Sequence, residues 1–172
     1  MPTLLVLRHG KSDWNADDGV DAERPLAKRG RRAAKTIGRH LSQVGPRPTL
    51  ALVSPAVRAR DTLERVLTAA GFECPTQVAA SFYGHRTAAA LETLRGVEGR
   101  PEVVLAVGHE PTWSDLIAVL TGSHVRFPTA ALARIDFDTQ WAELGRASAV
   151  LTSLVLPRDL EAAEAVRARR PG

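Results

Sequence analysis

Short apolar runs alternate along this chain with apolar stripes at helical spacing, and that alternation restricts the possible folds more than any other feature. Thr3–Leu7 is an apolar run that ends in a polar turn. From Lys28 to Val44 the apolar residues Ala33, Ile37, Leu41 and Val44 recur at helical intervals, and Gly45-Pro46 stops that helix. Leu50–Val53 is a second strand, followed by Ser54-Pro55, the residue types of a helix cap and first turn. Leu63, Val66, Leu67 and Ala70 carry the next helix to Gly71. A weaker strand near Thr76–Ala79 precedes a helix through Ala88, Leu91 and Leu94. Val103–Val107 is the clearest buried strand, and Trp113, Leu116, Ile117 and Leu120 form a further stripe closed by Gly122.

Beyond residue 130 the pattern changes. Ala133, Ile135 and Phe137 alternate with Arg134, Asp136 and Asp138, as in a strand with one wet face. Ala149–Leu156 is its expected partner, ended by Pro157, and Asp159 to Arg170 is expected to form a charged terminal helix. The whole pattern predicts an α/β fold: a three-layer αβα sandwich whose central sheet is mainly parallel, with an antiparallel edge strand. No repeat or linker composition divides the 172 residues, so residues 1–172 are expected to form one domain, with 159–172 a charged helix or tail.

In open α/β sheets ligands bind beyond the carboxyl ends of the strands. Three predicted strand ends carry suggestive chemistry: Arg8-His9-Gly10, Ser54-Pro55-Ala56-Val57-Arg58 and Gly108-His109-Glu110-Pro111. In the first, an imidazole can attack phosphorus, a guanidinium can grip a phosphoryl group as a fork, and glycine permits close backbone approach. Arg58 falls in the first turn of a helix, where the macrodipole disfavours a cation. An anion held jointly by the helix start and the guanidinium would reverse that penalty. Singly, Arg58 also fits an exposed arginine pointing into solvent, and His109 a capping or turn histidine. Together at three strand ends they point to an anion site.

Composition narrows the function classes. The formal charge of +4 raises the question of nucleic acid, but the excess sits largely in Lys28, Arg29, Arg31, Arg32, Lys35 and Arg39 and in the tail Arg167, Arg169 and Arg170. The first group lies opposite an apolar helical stripe without interleaved aromatics, the pattern of a solvated helix face, so no nucleic-acid partner is expected. The single cysteine, Cys74, cannot form an internal disulfide and is expected to be a free structural thiol. Neither the N-terminus nor the longest aliphatic run suits a signal peptide or a membrane span, so a cytoplasmic protein with no membrane contact is expected. The five histidines lack the H-E-x-x-H spacing of a metal site. No coiled-coil pattern appears, and a monomer is the simplest expectation.

Arg8-His9-Gly10, the stretch Ser54-Pro55-x-x-Arg58-Ala59-x-x-Thr62 and Gly108-His109-Glu110-Pro111 resemble the three motifs of the histidine phosphatase superfamily. Arg24-Pro25-Leu26, then Lys28-Arg29-Gly30, and the compact length are most similar to its small SixA-like phosphohistidine phosphatases. Lys11-Ser12-Asp13-Trp14-Asn15 is also similar to the phosphoglycerate mutase branch. The resemblance runs from about Thr3 to at least Thr129 and implies a phosphoglycerate mutase-like fold. It implies that His9 attacks the substrate phosphorus and becomes phosphohistidine, while Arg8, Arg58 and His109 surround the phosphoryl oxygens. Asn15 and Ser12 would donate further hydrogen bonds to phosphate, and water would then release phosphate from His9. No metal or other cofactor is implied, since arginines and histidines take the place that Mg²⁺ holds in many phosphoryl-transfer sites.

To attack, His9 must offer an unprotonated nitrogen while a hydrogen bond at the other fixes its tautomer. Neighbouring cations are expected to lower its pKa, and the Gly10 carbonyl or a nearby loop to orient it. Larger superfamily members carry a glutamate general acid after the third strand, where this chain has Ser81-Phe82-Tyr83-Gly84-His85. Asp13, Asp17, Asp18 and Asp21 are expected to be solvated loop residues, although their loop can approach the site. Tyr83 and His85 are expected to be structural or rim residues, and Trp14 fits either a rim or a core role. Without that acid, the chemistry favours a leaving group such as imidazole, which departs neutral once protonated. The expected partner is therefore a phosphorylated substrate, foremost a phosphohistidine on a protein. The alternatives are a small phosphate ester, a mutase-like reaction, or a non-catalytic phosphate-binding module.

Overall fold

The computed structural model describes residues 1–16 and 19–169, so Asp17, Asp18 and Arg170 to Gly172 lie outside the described residues. Six strands form one sheet: β1 (Thr3–Arg8), β2 (Leu50–Val53), β3 (Thr76–Val78), β4 (Val103–Gly108), β5 (Leu132–Asp136) and β6 (Val150–Val155). Five helices connect or follow them: α1 (Lys28–Val44), α2 (Val57–Ala70), α3 (Thr87–Arg95), α4 (Thr112–Thr121) and α5 (Pro157–Ala168). The sheet order is β3-β2-β4-β1-β5-β6. The strands β3, β2, β4 and β1 are parallel, while β5 runs antiparallel to both β1 and β6. The antiparallel strand thus sits one place in from the edge, and β6 completes that side.

Both faces of the central strands are buried, which is why they read as continuous apolar runs. In β1, Leu4 and Val6 point into one core with β4 residues Val104 and Ala106. Leu5 and Leu7 point into the other core with Val103, Leu105 and Val107. The first core is closed by Leu91 and Leu94 of α3 and by Trp113, Leu116, Ile117 and Leu120 of α4. The second is closed by Ile37 and Leu41 of α1 and by Leu63 and Val66 of α2. Removing each such side chain from water contributes roughly 1.5–3 kcal/mol. Layers of helix, sheet and helix result.

Helical spacing located α1 well but misplaced its ends on the core. Ala34 is buried where Ala33 is only half-buried, and Val44 is exposed. In α3 the buried alanine is Ala90, and Ala88 faces solvent. Gly71 and Gly122 end α2 and α4 in the left-handed region, with φ of 67° and 74°, which glycine enters without steric cost. The terminal helix begins at Pro157, two residues before the expected Asp159, because proline suits a first helical position. It lies along α1, with Arg32–Glu161 and Arg39–Glu164 at 3.5 and 3.8 Å. The expected wet face of β5 is not fully wet: Asp136 is buried and receives hydrogen bonds from Thr3, Arg134 and Thr152. Cys74 is half-buried with a free thiol, and burial raises its pKa. Among the described residues, no helix is long and apolar enough to cross a membrane.

Candidate active site

Parallel register brings the three motifs to one rim. Arg8 pairs with Gly108 across β1 and β4, so His9 and His109 emerge side by side. Val53 pairs with Val107, so Ser54 follows alongside them. The His9 N–H donates to the Gly108 carbonyl at 3.0 Å, and the Ser54 N–H to the Val107 carbonyl at 2.9 Å. The two imidazole rings stand 4.9 Å apart.

Glycines let the segments approach this closely. A Cβ on Gly10 would lie 2.8 Å from the Gly30 carbonyl oxygen, and one on Gly30 would lie 2.2 Å from the Lys11 carbonyl oxygen. The tight approach at Gly10 is therefore to α1, a backbone contact within the fold. A Cβ on Gly108 would lie 2.7 Å from the Trp113 ring, whose Nε1–H donates to the Leu7 carbonyl at 2.9 Å. Thr62 of α2 ties in the end of β1. Its Oγ1 accepts the Gly10 N–H at 2.9 Å and donates to the Arg58 carbonyl at 2.6 Å.

His9 is buried, and its Nδ1 lies 2.7 Å from the Gly10 carbonyl oxygen. A carbonyl only accepts, so Nδ1 carries the proton and Nε2 keeps its lone pair. The His9 pKa falls to about 3, chiefly through burial, with His109, Arg58 and Arg8 adding to the shift and the Gly10 bond opposing it. Burial thus outweighs the neighbouring cations. His109 is lowered to about 4, again by burial first and by Arg58 next. Its Nε2 lies 2.7 Å from Ser54 Oγ, and its Nδ1 lies 3.5 Å from Arg58 Nη2. Ser54, expected as a helix cap, is instead bound to this histidine. The residue capping α2 is Ala56, whose side chain makes no cap bond.

Arg58 is buried at the start of α2 and turned toward the site rather than solvent. Its Nη1 donates to the Asp21 carbonyl at 2.7 Å, and its Nη2 to Asp21 Oδ2 at 2.9 Å. Arg8 donates from Nη1 to the Phe127 carbonyl at 2.9 Å. The Nε–H groups of Arg8 and Arg58 are buried without a hydrogen-bond partner. Two such orphan donors each cost about 1–3 kcal/mol, which a bound oxyanion would offset.

Asp21, expected as a solvated loop residue in a loop able to approach the site, reaches it. The loop after β1 closes at its base, where Ser12 bridges Leu26 and the Asp13 N–H donates to the Pro25 carbonyl. A short 3-10 turn at Asp21–Glu23 then folds over the pocket. The Asp21 carboxylate also takes Arg24 Nη2 at 2.7 Å and the Tyr83 hydroxyl at 2.8 Å. Burial pushes its pKa up, but bonds from Tyr83 and Arg58 and the charges of Arg58 and Arg24 outweigh this and hold it below the ordinary value. No periodicity marks such a residue.

The pocket, about 500 Å³, is lined by Arg8, His9, Ser12, Arg58 and His109, among others. Trp14 is a rim residue, 68% exposed, with the Arg24 guanidinium 3.5 Å from its ring centre. Tyr83 and His85 also line the opening, and the Tyr83 ring meets His109 edge-on. Asn15 does not line it. Asn15 is exposed, and its N–H donates to Asp13 Oδ1. Larger clefts lie beside α4 and α2, and neither is lined by Arg8, His9, Arg58 or His109. Among the described residues, no three His, Cys, Asp or Glu side chains gather as a metal ion would need.

Residues 4–83 match the profile of the histidine phosphatase superfamily, branch 1. The uncharacterized protein Rv1276c of Mycobacterium tuberculosis (strain ATCC 25618 / H37Rv) is 34% identical over 164 residues, covering 88% of this chain and 100% of that protein. A candidate phosphohistidine phosphatase SixA from Nakamurella multipartitia superposes with a TM-score of 0.80 at 27% identity, over 91% of this chain and 96% of the other. The protein histidine phosphatase SixA, solved in complex with tungstate, shares the fold with a TM-score of 0.80 at 22% identity, over 92% and 99% of the two chains. With three strand ends joined in one pocket and a relative matched over 88% of its length, the chain belongs to the histidine phosphatase superfamily, is similar in structure to its SixA-like members, and is a phosphatase.

Proposed function

We propose that the protein hydrolyses phosphohistidine on a protein substrate without a metal ion, through a phosphoryl group carried on His9. One observation carries this reading: the Gly10 carbonyl holds the His9 Nδ1 proton, which leaves Nε2 as a neutral nucleophile in the pocket. The His9 Nε2 lone pair forms a bond to phosphorus as the bond to the leaving imidazole nitrogen breaks. Arg8, Arg58 and His109 stabilise the charge on the oxygens, with Ser12 at the pocket wall and Asn15 outside it in this state. Water then attacks phospho-His9, releasing phosphate and restoring the imidazole.

The state of Asp21 supports such a leaving group. This carboxylate is the acidic group bound to Arg58, and its lowered pKa makes it a poor proton donor. Alkoxides need such a donor, whereas an imidazole protonated near neutral pH leaves without one. Rim residues Trp14 and His85 are exposed, which suits a side chain presented from a protein surface.

The test compares phosphate release from a phosphohistidine protein with release from a panel of phosphate esters, in excess EDTA. Turnover on the phosphohistidine protein that survives EDTA and disappears in His9→Ala supports the reading. Strong preference for one small ester, loss of activity with the chelator, or wild-type turnover by His9→Ala contradicts it.

A further inference from the structure

A second recess, of about 330 Å³, adjoins the catalytic pocket, and Lys11 and Thr129 line both. Its walls carry Lys11, Arg29, Arg32, Arg126 and Arg158, against one acid among the described residues, Glu161. These cations come from separate parts of the chain: the loop after β1, the first turns of α1, the segment before β5 and the start of α5. Convergence from four segments is not the charge stripe of one solvated helix. Arg32 has Glu161 at 3.5 Å and Arg158 has Asp159 at 3.3 Å. Among the described residues, the side chains of Lys11, Arg29 and Arg126 have no hydrogen bond or ion pair.

The charge on α1 is also reversed from what its dipole favours. Its sequence opens Lys28-Arg29-Gly30-Arg31-Arg32, and its first turn has no acid. Cations there oppose the positive end of the helix and repel one another. An oxyanion between them would relieve both effects, and several forked guanidiniums suit phosphate or carboxylate geometry.

We propose that this recess is a second oxyanion subsite, which takes a phosphate or carboxylate group carried on the same substrate whose phosphoryl group reacts at His9. This rests on the reading of His9 as nucleophile. The shared wall at Lys11 and Thr129 places the two anionic groups within reach of one ligand. That second group has two sources with the same chemistry: the other phosphate of a small bisphosphate, or an acidic side chain flanking phosphohistidine on a protein.

The experiment uses the full chain and the double variant Arg29→Ala/Arg126→Ala, both positions being exposed and outside the catalytic pocket. Three substrate sets are compared: an activated aryl phosphate, alkane-diol bisphosphates of graded length beside their monophosphates, and phosphohistidine peptides flanked by Glu or by Gln. The wild type is expected to favour the second anion in at least one of the latter sets by about ten-fold in kcat/KM, equivalent to one good charged contact. The double variant should lose that preference yet keep its aryl phosphate turnover. A preference among bisphosphates assigns a small-molecule source, and one confined to the Glu peptides assigns a protein source. No preference in either set, a preference that survives in the variant, or an equal loss on the aryl phosphate overturns the subsite. Failure of His9 as nucleophile would appear separately, as aryl phosphate turnover that persists in His9→Ala.

Discussion

Arg58 gives both of its terminal nitrogens to Asp21, one to the backbone carbonyl at 2.7 Å and one to the carboxylate at 2.9 Å. The carboxylate thus occupies the guanidinium fork that a phosphoryl group needs. Since Asp21 sits on a half-exposed loop turn, a phosphoryl group taken up by Arg58 would have to outcompete this charge-assisted bond pair. Asp21→Asn removes the competing charge and is expected to lower the inhibition constant of vanadate or phosphate by roughly three- to ten-fold, the scale of a partly exposed ion pair. Weaker anion inhibition in that variant would show that Asp21 assists binding instead.

Ser54 and His109 give a second prediction. Ser54 is fully buried, and its hydroxyl is the partner of His109 Nε2 at 2.7 Å. Ser54→Ala leaves that nitrogen unpaired, at a cost of about 1–3 kcal/mol in unfolding free energy. The ring also loses the contact that sets its orientation toward Arg58. We expect kcat to fall about ten-fold or more with little change in KM, because charge stabilisation in the transition state is what weakens. A rise in KM alone would assign Ser54 to ground-state binding.

Backbone contact between the first motif and α1 is tested by Gly30→Ala. The added methyl would meet the Lys11 carbonyl oxygen and backbone nitrogen at 2.2 and 2.8 Å. Neither neighbour is a flexible side-chain end, so the loop after β1 must shift. A loss of about 1–3 kcal/mol in stability is expected, together with a marked fall in turnover as His9 is displaced. Wild-type stability and activity would show that the contact is dispensable.

The histidines predict an acid-sensitive fold. In the folded protein His9 and His109 titrate at about 3 and about 4, against an ordinary value of 6.5. Below 6.5 the unfolded chain binds protons that the folded one does not, so stability falls as pH drops from there toward the folded pKa values. Above 6.5 the effect vanishes. The slope is roughly 1.4 kcal/mol per pH unit for each histidine. His109→Gln should therefore lose about 2 kcal/mol less than wild type between about pH 7 and about pH 5, measured by urea unfolding in phosphate-free buffer. Equal losses would mean that His109 is not held neutral by the fold.

What the sequence made legible follows physical lines. Periodicity reports burial within an element, so the helices, the buried strands and the sandwich could all be read. The motifs at strand ends were equally legible, since a parallel sheet must bring such ends together. Partnership across the fold left no comparable trace. Ser54 looked like a cap, and only the β2–β4 register shows that it faces His109. Gly10 looked like an approach for ligand, and its neighbour is Gly30. Asp21 lies in a loop with neither helical nor strand spacing, so nothing local distinguished it from Asp13. Asn15, carried over from the family motif, lies outside the pocket, with its backbone turned on Asp13.

The central claim, that His9 carries the phosphoryl group, is tested most directly by trapping. The enzyme is mixed with a ³²P-labelled phosphohistidine substrate, quenched in alkali, where phosphohistidine survives, and mapped by peptide. The account predicts label on the peptide containing His9, attached at Nε2 and absent from His9→Ala. Label on another residue, or rapid turnover with no labelled enzyme at any time, would contradict it.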